Sequence, residues 1–244
     1  MKTMNRYFDT VLAQLDQLRR SEWSKIEQAA AWVGEALANN HWLYAFGTGH
    51  SHALAEEIFF RAGGLVRGVP MLDPKLMLHE NAIESTWQER KEGYAAQLLA
   101  LYPIARGDAL IIASNSGRNA FPIEMAMEAR ARGLKVTAIV SLAHGRQWPS
   151  RHPSGKSLAD VADLAIDNCA VSGDACLELP GMPSRIGPTS TVTGALIVNA
   201  IIVQGIENAL QRGVAPEIYI SSNSDGDEHN EKLLSKYKSR IRHL

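Results

Sequence analysis

Short apolar runs and helical repeats alternate along most of this 244-residue chain. A near-continuous apolar run is typical of a strand that is buried on both faces of a parallel sheet. Apolar residues that recur every three or four positions instead indicate a helix with one face toward a core. The pattern predicts five strands, at residues 42–46, 65–72, 109–113, 136–140 and 164–166.

Helical repeats precede, separate and follow these strands. The apolar stripe over residues 4–39 slips near Ser21, which predicts an N-terminal arm of two helices or one kinked helix. Further helices are predicted at residues 53–62, 75–100, 122–132, 193–212 and 231–242, with a surface loop at 144–158. We therefore expect an α/β fold, a three-layer sandwich with a parallel five-stranded sheet. We expect one domain over residues 1–244, with the arm at about 1–40 and a polar, partly helical tail at about 213–244.

Composition and charge narrow the class of protein. The formal net charge is -1 and apolar residues make up 45% of the chain, so nothing steers it toward nucleic acid or an anionic membrane surface. The longest apolar run, residues 195–203, is broken by Asn199 and is short for a membrane span. The first residues lack the apolar core of a signal peptide, and the two cysteines lack a partner histidine. We expect a cytoplasmic protein with reduced thiols.

Three hydroxyl-rich segments carry the candidate chemistry, at residues 47–52, 114–119 and 187–193. Each precedes or opens a predicted helix, and the first two follow predicted strands. Helix N-termini offer free backbone N–H groups and a positive dipole end, which favour a phosphate. Ser or Thr in such places is also a common helix cap, so a capping role stays open. The predicted binding residues are Gly47, Thr48, Gly49, His50, Ser51, Ser114, Asn115, Ser116, Gly117, Asn119, Ser190 and Thr191, with Arg61 and Arg185 as reserve ligands.

These motifs resemble the sugar isomerase (SIS) domain. The first segment reads Gly-Thr-Gly-His-Ser, and Ser-Asn-Ser-Gly-Arg-Asn follows a strand that ends in Ile-Ile-Ala. The family usually has Ser-x-Ser-Gly-x-Thr in the second loop, so Asn119 stands where a hydroxyl is common. The resemblance spans about residues 35–212, and residues 59–64, 78–81 and 225–230 further resemble an uncharacterised branch described as phosphosugar isomerases. It implies a flavodoxin-like SIS fold whose loops hold the phosphate of a sugar phosphate.

Isomerisation of an aldose to a ketose needs groups that move a proton between C1 and C2 and open the sugar ring. We expect Glu80, beside His79, to serve as the base, although an exposed helix charge would explain Glu80 equally well. His229 lies among acidic residues that would raise its pKa and suit it to act as an acid. A solvated loop is the alternative for His229. We interpret Glu84 and Glu89 as solvated helix charges.

No metal site is expected. His50 and His52 are two residues apart and point to different sides of a helix. The run from His79 to Glu84 lacks the second histidine of a zinc protease motif. The acidic residues near 225 depart from a calcium loop, because Glu228 replaces the required Gly and Leu234 the required Glu.

The residues, together with what the SIS resemblance implies, favour an enzyme that acts on a sugar phosphate or amino-sugar phosphate, most simply an isomerase, without a cofactor. An amino-sugar-phosphate deaminase or dehydratase, and a non-catalytic sensor that signals through a protein partner, are the alternatives. No basic recognition helix supports DNA binding. The apolar helices at 4–39 and 193–212, with Trp23 and Trp32, predict a homodimer, in which His229 reaches the partner's site.

Overall fold

A computed structural model describes residues 2–244. Its main sheet has five parallel strands in the order β2-β1-β3-β4-β5. Their bounds are β1 Leu43–Gly47, β2 Gly68–Met71, β3 Ala109–Ala113, β4 Lys135–Val140 and β5 Leu164–Asp167. The predicted parallel five-stranded sheet is confirmed.

Ten α-helices surround this sheet in the described residues. They are α1 Thr3–Ser21, α2 Trp23–Ala38, α3 His52–Glu57, α4 Leu78–Gln88, α5 Ala95–Leu99, α6 Ala120–Ala131, α7 Leu142–Gln147, α8 Leu158–Val161, α9 Ser190–Gln211 and α10 Asp227–Tyr237. The N-terminal arm is two helices, because α1 ends at Ser21 and α2 starts at Trp23. Ser21 does not cap α2: its hydroxyl donates to the Gln17 carbonyl 3.1 Å away.

Alternate residues of the central strands face two separate cores. Leu43 and Ile111 pack against α2, α3 and α9 on one face of the sheet. Phe46 and Ile112 pack against α5, α6 and α10 on the other face. Because both faces are covered, the strands are apolar throughout, which is the origin of the runs seen in the sequence.

Helix α9 packs closely on α2 through glycine. A Cβ atom at Gly205 would lie 2.8 Å from Cγ1 of Val33, and one at Gly34 would lie 2.5 Å from Cβ of Asn208. By length and hydropathy alone α9 would also qualify as a membrane span. Its buried face, which includes Ile197, belongs to a protein core, and core helices meet the same two criteria.

Several predicted elements are shorter or broken in the structure. The helix expected at 53–62 ends at Glu57, and Phe60 adopts a left-handed φ of 44°. The helical region expected at 75–100 is divided by non-helical angles at Asn81 and by a turn at Gly93, whose φ is 78°. Of the strand expected at 65–72, only Gly68–Met71 forms β2. Leu65 instead forms an antiparallel bridge with Ile218.

Two further differences concern the chain after β4. The expected surface loop at 144–158 is wrong in part, since α7 extends to Gln147 with the Ser141 hydroxyl as its cap. A small antiparallel ribbon, β6 Ala175–Leu177 with β7 Ile186–Pro188, was not predicted because each strand is too short to show a period. The last helix starts at Asp227, four residues before the expected Glu231, and ends at Tyr237.

Candidate functional site

The strand order places two hydroxyl-rich loops side by side. The chain runs outward in opposite directions from β1 and β3, so the gap between these strands is the topological switch point of the sheet. Ligands of open α/β sheets bind beyond the carboxyl ends of the strands at such a point. Loop 1 (residues 48–51) follows β1 and loop 2 (residues 114–119) follows β3, so both border this position.

A small polar cavity lies where these loops meet the start of α9. Loop 1, loop 2 and the α9 N-terminus each contribute two of the predicted binding residues to its lining. Those six are His50, Ser51, Ser114, Asn115, Ser190 and Thr191, and Leu54, Ala113, Ile139 and Asn168 complete the wall. Three segments that are far apart in the sequence therefore form one concave site.

Loop 1 requires glycine to make its tight turn. A Cβ atom at Gly47 would lie 2.3 Å from the backbone oxygen of Ser51, and Gly49 has a left-handed φ of 55°. This turn brings Ser51 to the cavity, where its hydroxyl has no hydrogen-bond partner among residues 2–244. The hydroxyl is thus available to a ligand.

Loop 2 has free hydrogen-bond donors, and its conformation is stabilised by hydrogen bonds within the protein. The Ser114 hydroxyl accepts a hydrogen bond from the Gly117 N–H (3.2 Å), and Gly117 has a φ of 59°. Within the described residues, the backbone N–H groups of Ser116 and Arg118 have no acceptor. The Asn115 side-chain oxygen accepts from the Asn168 amide at 2.9 Å. Free N–H groups beside hydroxyls are the donors that an anion needs.

The third segment already has an anionic partner within the chain. The Asp174 carboxylate accepts from the N–H groups of Thr189 (2.9 Å) and Ser190 (2.8 Å) and from the Ser190 hydroxyl (2.6 Å). Asp174 itself adopts a φ of 68°. A ligand that binds the Ser190 hydroxyl must therefore share it with Asp174. The Thr191 side chain is exposed.

Glu89 connects loop 1 to loop 2, a role that the sequence did not indicate. Its carboxylate accepts from the Thr48 hydroxyl and from the Asn119 side-chain amide, each at 2.6 Å. Burial raises its pKa, and the Thr48 hydrogen bond and the charges of Arg90 and Arg151 offset part of that increase. The interpretation of Glu89 as a solvated helix charge is wrong.

On α4 two polar residues are buried and two large apolar residues are exposed, which is the reverse of an ordinary amphipathic helix. This pattern could have indicated from the sequence that Glu89 faces inward. Ser85 and Gln88 face inward, and Glu89 continues the same face, whereas the apolar Ile83 and Trp87 are 74% and 59% exposed. A polar stripe on the buried side of a helix is unusual and marks a polar network. Thr48 and Asn119 are predicted binding residues, and the structure shows their side chains in contact with Glu89.

The predicted catalytic residues lie outside the cavity of a single chain. The His79 and Glu80 side chains are 62% and 58% exposed. The His79 ring lies 5.8 Å from the His52 ring, which places the start of α4 beside loop 1. His229 is exposed, and its Nε2 lies 3.0 Å from the carbonyl of Ile218, to which it donates when protonated. The catalytic roles of His79, Glu80 and His229 stay predictions.

The remaining candidates have local partners. Arg61 pairs with Glu57 and Arg185 with Glu178, each at 2.6 Å, and neither arginine lines the cavity. Burial, with the Asp167 charge next in size, raises the pKa of Cys169 to about 11, which keeps this thiol protonated near neutral pH. Residues 2–244 contain no group of three or more His, Cys, Asp or Glu side chains arranged to hold a metal.

Comparison with known proteins assigns the family. The SIS domain matches residues 6–141, so the chain belongs to the SIS-domain family. It is 43% identical over 239 residues to the UPF0309 protein of Listeria innocua, with 98% of this chain and 97% of that one covered. It is 40% identical over 245 residues to the UPF0309 protein of Caldanaerobacter subterraneus, with coverage of 99% and 100%.

Solved structures share the fold. A phosphoheptose isomerase from Francisella tularensis superposes with a TM-score of 0.54 at 17% identity, covering 85% of this chain and all of that one. The Vibrio vulnificus NanR protein, solved in complex with ManNAc-6P, gives a TM-score of 0.54 at 14% identity, covering 96% of this chain and 69% of that one. These similarities support the SIS-type α/β architecture.

Proposed function

We propose that this chain binds a sugar phosphate in the switch-point cavity and isomerises it between aldose and ketose. The observation that carries the binding proposal is the convergence of loop 1, loop 2 and the α9 N-terminus on one cavity with free hydroxyl and N–H donors. The Ser51 hydroxyl and the loop 2 amides would hold the phosphate. The membership of the SIS-domain family supports the same ligand class.

Glu89 is the proposed acid–base group of this reaction. Its ionised carboxylate would take the proton from C2 of the open-chain aldose, which gives an enediolate, and return it to C1. The O2 hydroxyl proton passes to O1 in the same isomerisation, and the product is the ketose. Its raised pKa supports this role, because a proton shuttle works best when its pKa lies near the working pH. Glu80 stays the alternative base, and His79 and His229 are candidates for ring opening.

The proposal is tested by binding and turnover measured on the same ligands. A panel of hexose, heptose and amino-sugar phosphates is first screened by thermal shift, and each ligand that binds is incubated with the protein and followed by NMR. We expect at least one ligand to be converted to its ketose or aldose isomer. Loss of the amino group or of water would instead identify a deaminase or dehydratase. Tight binding without turnover would identify a sensor.

We also propose that the protein works as a homodimer through α1 and α9. Leu196, Val203 and Leu210 are exposed at seven-residue spacing on α9, and Phe8 and Leu12 are exposed on α1. A seven-residue apolar repeat matches a second copy of the same helix. Sedimentation at several concentrations should give a dimer for the natural chain and a monomer for the Leu196→Glu, Val203→Glu double variant. The free thiols of Cys169 and Cys176 support a cytoplasmic location.

A further inference from the structure

Three arginines lie on or beside loop 2. Arg151 donates from Nη1 to the Asn119 side-chain oxygen (2.8 Å) and from its backbone N–H to the Arg118 carbonyl (2.7 Å). Arg118 donates from Nε to the Pro149 carbonyl (2.9 Å). Arg90 directly follows Glu89, which contacts the same Asn119. We call Arg90, Arg118 and Arg151 the arginine rim.

The positive charge of the arginine rim is not paired with a carboxylate in residues 2–244, although Arg90 lies over the Trp87 ring (5.0 Å) and Arg118 over the Trp148 ring (5.9 Å). In the part of the chain that the structure describes, none of its members forms a salt bridge, whereas Arg61, Arg130 and Arg185 each do. Partial burial and then the charges of Arg118 and Arg90 lower the pKa of Arg151, so the guanidinium groups repel one another. Glu89 is the carboxyl group that acts on Arg151, and its own burial favours its neutral form.

The positive charges of the arginine rim also act on a neighbouring histidine, and one donor of the rim is buried without a partner in the described part of the chain. Burial and then the charges of Arg118 and Arg151 lower the pKa of His144, so the positive charge of these arginines disfavours a further cation at this ring. Nε of Arg90 is buried and has no hydrogen-bond partner among residues 2–244. Arg118 and Arg151 each use one side-chain N–H within the protein, so most donors of both guanidinium groups are left for a ligand.

We propose that the arginine rim binds a carboxylate of the ligand, so that the substrate class is a sugar phosphate that also carries an acid group. This inference rests on the proposed function, since it assumes that the phosphate occupies the cavity between loop 1 and loop 2. The planar guanidinium fork matches a carboxylate in a bidentate geometry. The link from Arg151 through Asn119 to Glu89 would connect acid recognition to the proposed proton shuttle.

Two matched ligands test this inference by calorimetry. 6-Phosphogluconate and glucitol 6-phosphate share a phosphorylated six-carbon chain and differ at C1, which is a carboxylate in one and an alcohol in the other. We expect 6-phosphogluconate to bind more tightly by about tenfold or more, as for hydrogen bonds to a charged group. The preference should shrink as salt is raised from about 50 to 300 mM, because the rim is partly exposed.

Substitutions in the arginine rim test whether its guanidinium groups cause the preference for 6-phosphogluconate. Arg151→Gln and Arg118→Gln should each reduce the preference for 6-phosphogluconate to within about threefold while the affinity for glucitol 6-phosphate changes by less than about twofold. Arg106→Gln is the matched control, since Arg106 is exposed near the opposite edge of the sheet, just before β3. Thermal melts of each variant verify that it is folded, and the salt series on the natural chain tests the inference without any variant.

Each contrary outcome has a distinct meaning. Equal affinity for the two ligands in the natural chain overturns the carboxylate assignment and leaves the proposed function standing. A preference that persists in both rim variants also overturns it. Tighter binding of fructose 1,6-bisphosphate than of 6-phosphogluconate would assign the rim to a second phosphate instead. Failure of every sugar phosphate to bind overturns the proposed function itself.

Discussion

Two carboxylates hold the loops of the cavity, and their surroundings differ. Glu89 joins loop 1 to loop 2 through Thr48 and Asn119, two neutral donors on side chains. Asp174 holds the start of α9 through the N–H groups of Thr189 and Ser190 and the Ser190 hydroxyl. Glu89 lies at the C-terminal end of α4. The Asp174 carboxylate lies at the positive N-terminal end of α9.

This difference separates a chemical role from a structural one. Asp174 accepts hydrogen bonds from two backbone N–H groups at the positive end of α9, which is the arrangement of a helix cap. Burial works against the charged form of Glu89 and raises its pKa, which suits a group that gains and loses a proton. Similar hydrogen-bond distances therefore do not imply similar functions, because the solvation of the carboxyl group decides which form is stable.

The largest effect should come from removing the proton-carrying capacity of Glu89. Glu89→Gln should lower turnover by about 10²–10⁴-fold while sugar-phosphate binding is retained, since proton transfer typically contributes that much. Asp174→Asn should keep most of the turnover. The measurement is the rate of isomerisation at saturating ligand, with Glu84→Gln on the exposed side of α4 as control. Near-normal turnover in Glu89→Gln would reduce Glu89 to a connector of loops.

A binding effect of intermediate size is expected at Ser51, which neither carboxylate contacts. Ser51→Ala removes a free cavity hydroxyl and should weaken sugar-phosphate affinity by about tenfold or more, the equivalent of roughly 1.5–3 kcal/mol. Calorimetry measures the change, and Ser24→Ala on the exposed surface of α2 is the control. Unchanged affinity would mean that the phosphate does not sit between loop 1 and loop 2.

The cap at α9 should affect stability more than chemistry. Asp174→Ala removes the partner of two backbone N–H groups and should lower the free energy of unfolding by about 1–2 kcal/mol, as for other helix caps. Urea denaturation measures this loss, and Asp225→Ala in the exposed tail should change stability by less than about 0.5 kcal/mol. If the two variants are equally stable, Asp174 is not a cap, and the contrast with Glu89 fails.

The smallest effect is a pH dependence of stability that should follow Glu89 alone. A carboxyl group whose folded-state pKa is raised binds more protons in the folded chain, so its contribution to stability falls as pH rises. The fall begins above the ordinary pKa of 4.5 and ends above the raised folded-state value. The unfolding free energy of the natural chain minus that of Glu89→Gln should therefore decrease over this window. The same subtraction with Glu84→Gln should show no such trend.

Local patterns in the sequence were sufficient for the sheet and for the position of the loops. The strands around Phe46 and Ile112 are apolar because both sheet faces are covered. Burial of both faces requires consecutive apolar residues, and such a run is visible in the sequence. Ser114 follows β3 directly and Ser51 lies in the short loop after β1, so a parallel sheet must bring them to the same edge. Short-range information was enough wherever a neighbour in the sequence is also a neighbour in space.

Only the tertiary structure decided which carboxylates matter. Glu89 and Thr48 are 41 residues apart, and the kink at Asn81 and the packing of α4 turn Glu89 inward. Asp174 reaches Ser190 across 16 residues because an unpredicted ribbon, β6–β7, brings the chain back to α9. The pKa of a carboxyl group depends on what surrounds it in three dimensions, and no periodicity in the sequence records the burial that separates Glu89 from the exposed Glu80 and Glu84.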